Sequence, residues 1–204
     1  NNITTNDIAD MWVHEGFTNY SETLFTEFFY GKAAATDYIV GIRKLIQNDV
    51  PIIGTYGINK EGSGDMYYKG GNLVHLIRQL MQNDSSFRLL LHDLNQHFYH
   101  QTINGSEVEK RMAQFSGLKL KPVFDQYLRD TRIPTLEYRI KNNKLQYRWT
   151  NCIPGFKMAV KIRADQQPTW LTATTKWKTW KQQGLNEQTA IEVDRNFYVL
   201  LKRI

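Results

Sequence analysis

The chain has 204 residues, 26 Lys and Arg against 20 Asp and Glu, and ordinary globular composition with 41% hydrophobic and 23% charged residues. That length allows one or two domains with a real core. It excludes a disordered chain, a disulfide scaffold (the single cysteine is Cys152) and, with no long apolar run, a membrane span.

The charge is uneven. Residues 1–118 carry nine basic and thirteen acidic side chains, residues 119–204 seventeen and seven. Two compositionally distinct halves follow.

In chain order, Thr4 or Thr5 is the expected cap of a first helix that ends near Gly31. Its apolar and aromatic residues (Trp12, Phe17, Tyr20, Phe25, Phe28 and Phe29 among them) predict a buried helix. Glu15 and Glu22, seven residues apart, fall on one face with Asn19 between them. A buried carboxylate needs an ion pair, an exposed edge position or a metal ion. The residues alone leave all three open.

A second helix is expected from about Lys32 to Asn48, then a loop over 49–65 rich in glycine, with Pro51. Loops of that length often carry function. A helix from about Met66 or Tyr67 to Gln82 follows, and another over Ser86–His100. Ser106 with Glu109 predicts a capping box for a helix ending near Gly117. Pro122 opens one more helix, to about Arg129.

After Pro134 the pattern alternates. Leu136, Tyr138 and Ile140, then Leu145, Tyr147 and Trp149 across Asn142-Asn143, predict a β-hairpin. Further strands are expected at Phe156–Ile162, Trp170–Trp180 and Ile191–Leu201. The boundary between the helical and β parts is expected near residue 132.

His92, His97 and His100 lie near one another, but solvent-facing histidines are the simpler reading. The run Lys176–Lys181 interleaves bases with Trp177 and Trp180, as single-strand binders do, although a half-buried strand with a lysine face accounts for it. Tyr67 opens a helix after the long loop and, as a neutral phenol, could donate to an oxyanion.

Two stretches carry a resemblance. Trp12, Glu15, Gly16, Phe17, Tyr20 and Glu22 are similar to the segment after the zinc motif in the M1 family of zinc metallo-aminopeptidases, the gluzincins. Tyr67, Lys69 and Gly70 match that family's Tyr-x-Lys-Gly motif. The resemblance implies that Glu15 is a zinc ligand, Glu22 and Asn19 surround it, and Tyr67 stabilises the tetrahedral intermediate. More loosely, Phe124–Arg129 and Ile133-Pro134 look like the exit from the catalytic domain into a β-sandwich. His14 departs from the family, which usually has Asn there.

The implied fold is α+β: residues 1–132 as the C-terminal helical part of a thermolysin-like catalytic domain, then 133–204 as a β-sandwich. The implied activity is hydrolysis of N-terminal residues from a peptide substrate by zinc-activated water. The chain contains no His-Glu-x-x-His, so the upstream part of the same protein is expected to supply the other ligands and the base, and the fragment alone to be inactive. No nucleic acid partner is expected, and a periplasmic or cell-envelope location is favoured over the cytoplasm. The rival reading is a pseudo-peptidase or interaction module built on the basic β-domain.

Overall fold

A computed structural model describes residues 2–204 and shows a mixed α+β chain. It divides into two compact units, one ending at Thr131 and one running from Arg132 to Ile204.

The first unit opens with β1 (Ile3–Thr5), which pairs in parallel with β2 (Gln101–Ile103), a strand too short to read from alternation. Thr4 and Thr5 therefore do not cap a helix. The cap is Asp7, whose side chain accepts the Ala9 N–H at 2.9 Å and starts a short 3-10 turn. α1 (Trp12–Gly41) follows. It is interrupted at Gly31, whose φ of 86° suits a residue without Cβ. α2 (Asp65–Met81) packs against both arms of α1. Gly16 and Tyr20 of the first arm meet Gly70 and His75, and after Gly31 the chain returns, with Lys32 on Asp84 and Ile39 beside Asn72. α3 (Asp84–His97) is capped by Asn83.

α4 (Gly105–Ser116) has its capping box at Asn104 and Glu107, not at Ser106 and Glu109. Both pairs have the required spacing; Glu109 is drawn away by Arg129 of α5 (Lys121–Arg129), at 2.6 Å.

One expectation fails clearly. The second half of the first arm of α1 is not buried: Phe25, Phe28, Phe29 and Tyr30 are 58%, 83%, 60% and 72% exposed. Up to Thr23 the arm packs against α2, but beyond it the aromatic side chains meet mainly one another, with Phe25 and Phe29 centroids 4.5 Å apart.

The second unit holds two sheets. β3 (Thr135–Lys141) and β4 (Lys144–Thr150) form the expected hairpin, turned by Asn142 and Asn143, both left-handed. They are flanked by β7 (Lys178–Lys181) and β9 (Leu200–Arg203) in the order β7-β4-β3-β9. β5 (Lys157–Ala164), β6 (Gln167–Thr174) and β8 (Ile191–Val193) make the other, ordered β6-β5-β8. The single strands expected at 170–180 and 191–201 are each split, and their halves lie in different sheets. Local turns make the crossings: Thr174 Oγ1 bonds around Lys176, and Asp194 accepts the Asn196 N–H. Trp149 ties the sheets together, its indole N–H donating to the Met158 carbonyl at 3.1 Å and its ring meeting Phe156 edge-on.

Candidate active site

The site begins with two glycines. A Cβ on Gly70 would sit 3.1 Å from the Gly16 Cα, and one on Gly16 would sit 3.2 Å from the Gly70 carbonyl carbon. α1 and α2 therefore touch backbone to backbone. Glu15 precedes Gly16, and Tyr67 stands nearly one turn before Gly70, so the crossing brings these two side chains face to face.

The Tyr67 hydroxyl lies close to the Glu15 carboxylate. The Glu15 charge is the main reason the phenol is raised above its ordinary value. Tyr67 thus stays a protonated donor at neutral pH. Its ring is 40% exposed, and Glu15 is half-buried.

Asn19 is one turn further along α1 and buried against Gly71, where a Cβ would fall 2.4 Å from the Asn19 Oδ1. Its Nδ2 donates to Glu22 at 3.4 Å, a weak bond, while Oδ1 accepts none among the described residues. Glu22 is exposed and also accepts the Tyr38 hydroxyl from the returning arm.

The loop before α2 sets where Tyr67 begins. Asp65 is buried and accepts the N–H groups of Gln47 and Asn48 at 2.8 and 2.7 Å. Ser63 donates to Asp49, and the chain is so tightly folded that a Cβ on Gly62 would overlap the Ile52 carbonyl at 2.0 Å. Lys69 is almost wholly buried, with its ammonium on the Asp130 carbonyl at 3.0 Å; burial lowers its pKa and the nearby carboxylates of Asp65, Asp130 and Asp49 oppose that. Sequence reasoning used Lys69 only to set the motif register and passed over Asp65. The signal was available: a Lys four residues after an Asp at the start of an otherwise apolar helix.

Beside Glu15 lies a groove of about 380 Å³, walled by Val13, Phe17, Leu91, Leu94 and Phe98. His14 also lines it, but its Nε2 accepts the Thr5 N–H at 3.2 Å and is thereby occupied. Among the described residues no three His, Cys, Asp or Glu side chains converge on one point. His97 and His100 lie against Phe98 and Tyr99 respectively. One carboxylate does not hold a catalytic zinc ion, which takes three protein ligands. The residues of this chain by themselves do not fit one.

The fold is aminopeptidase-like. The chain is similar to the aminopeptidase A of Legionella pneumophila, solved in complex with aspartic acid, with a TM-score of 0.71 and 12% identity over 98% of this chain and 25% of that one. It spans about a quarter of that neighbour's length, and at this identity the likeness is one of fold alone. No family model and no curated protein matches the sequence.

A further polar cluster was not foreseen. Arg78, 4% exposed, makes two bonds to Glu27 (2.5 and 2.9 Å), one to Asp84 (2.8 Å) and one to the Tyr20 hydroxyl (3.2 Å). It locks the first arm of α1 to the end of α2. Glu27 was hidden among aromatic residues that promised an apolar helix.

Proposed function

We propose that this chain is part of a zinc-dependent aminopeptidase of the M1, gluzincin type. On this reading the first unit is the helical part of a thermolysin-like catalytic domain and the second a β-sandwich. Glu15 contributes one ligand to zinc, and the two histidines and the general base come from outside these residues. Bound zinc would act as a Lewis acid and activate water.

The observation that carries the reading is the meeting of Glu15 and Tyr67. They come from two separate motifs, 52 residues apart, and the Gly16–Gly70 crossing sets them side by side, with Glu15 lining the groove. A carboxylate and a neutral phenol side by side are a metal-ligating group and an oxyanion donor. Tyr67, as a phenol, keeps its proton at neutral pH, and its exposure leaves the hydroxyl within reach of a peptide carbonyl. Such a donor contributes roughly 3 kcal/mol to the transition state. Asn19 and Glu22, linked to each other, stand along the same helix face and steady it.

The test uses the intact parent protein. Glu15→Gln should lose zinc by metal analysis and lose turnover. Tyr67→Phe should keep zinc and lower kcat on an aminoacyl substrate by about 10²–10³-fold. A parent that binds no zinc, with both variants indistinguishable from it, would sink the reading in favour of a pseudo-peptidase.

A further inference from the structure

The second unit is strongly basic, with fourteen Lys and Arg against five Asp and Glu between residues 132 and 204. The register of its four-stranded sheet shows where part of that charge goes. Lys141 stands opposite Lys144, and Lys144 opposite Lys181, so three lysines cross three adjacent strands in one row. All three are exposed, and none has an ion-pair partner among the described residues. Directly opposed like charges destabilise a sheet.

The next rows on the same face hold Arg139 opposite Gln146, and Arg148 opposite Glu137. Both guanidinium groups lie over the Trp177 ring, 4.7 and 4.5 Å from its centre. Glu137 is buried and taken by Arg148 through bonds of 2.8 and 2.6 Å, so it does not offset the lysines. Lys202, opposite Glu137 on β9, is exposed and extends the face. Lysines on an edge strand discourage edge-to-edge association. That explains Lys181 on β7, but Lys141 and Lys144 are on the two interior strands.

We propose that this face docks an extended acidic segment of a polypeptide. Successive rows are two residues apart, roughly 6.8 Å, and an extended peptide presents alternate side chains at the same roughly 6.8 Å repeat. One carboxylate thus meets the lysine row, and the next, two residues on, meets Arg139 in step. Single-stranded nucleic acid fits less well. It needs aromatic rings on which successive bases stack, and Trp177 is occupied by two guanidinium groups. The proposal is independent of the zinc reading.

The experiment is fluorescence anisotropy with the whole chain and a labelled (Glu-Thr)₁₀ peptide at low salt. Binding is expected, weakening steeply as salt rises. The triple variant Lys141→Gln/Lys144→Gln/Lys181→Gln should weaken it at least tenfold. Lys110→Gln/Lys119→Gln/Lys157→Gln, with the same net charge, should change it less than twofold. The peptide should raise the wild-type Tm and leave that of the first triple variant unchanged, which also shows that the variant folds. No binding, equal weakening in both variants, or tighter binding of heparin, single-stranded DNA or phosphatidylserine vesicles of matched charge overturns the proposal.

Discussion

Gly71 leaves the space that Asn19 occupies, and Gly16 leaves the space that the α2 backbone occupies. The two glycines therefore respond differently to a methyl group. In Gly71→Ala the obstacle is the tip of one side chain, 2.4 Å away, whereas in Gly16→Ala it is helix backbone at 3.2–3.4 Å. Each is expected to cost about 1–3 kcal/mol by urea unfolding. Adding Asn19→Ala should restore most of the stability of Gly71→Ala and none of that of Gly16→Ala. Only Gly16→Ala should also weaken the Tyr67–Glu15 contact, because that contact depends on how closely the helices cross. Glu15 and Tyr67 were each legible within a motif. That they stand side by side, and the glycine partners that bring them there, were not, because a close approach joins residues more than 50 apart in the chain.

Between elements, Arg78 is the main polar tie, and its pH dependence has a definite sign. The Arg78 guanidinium holds the carboxyls of Glu27 and Asp84 below their ordinary values of 4.5 and 3.8. A lowered carboxyl stabilises the fold fully above its unfolded pKa, and that contribution fades as pH falls towards the folded one. The Tm gap between wild type and Glu27→Gln should therefore be widest near pH 7 and close progressively below about pH 4.5. Arg78→Met leaves Glu27 without its main partner and should cost about 3 kcal/mol at pH 7 by urea unfolding. In the β3–β4 hairpin, Asn143→Gly should add a few tenths of a kcal/mol, since the turn needs a left-handed residue there. The hairpin was readable because both its alternation and its turn are local.

For the molecule as a whole, the exposed rings of Phe25, Phe28, Phe29 and Tyr30 form an apolar patch of the kind that marks contact surfaces or promotes aggregation. Phe28, the most exposed, contributes little to the core. Phe28→Ser should reduce binding of the dye ANS while leaving unfolding free energy within about 0.5 kcal/mol. A larger loss would show that the patch is packed in solution.

The sequence by itself determined the sites of punctuation: Gly31, the loop before α2, Gly117, Pro122, and the change of period after Pro134. Each follows from backbone sterics or side-chain alternation within a few residues. It also singled out Glu15, Asn19, Glu22 and Tyr67. Tertiary structure alone decided which of two equally spaced caps starts α4, because Arg129 competes for Glu109. It split two alternating runs between sheets, since alternation records burial and not which sheet a strand joins. It left the aromatic half of the first arm of α1 in solvent and put Tyr67 on Glu15, because burial and contact belong to the partner surface as much as to the residue.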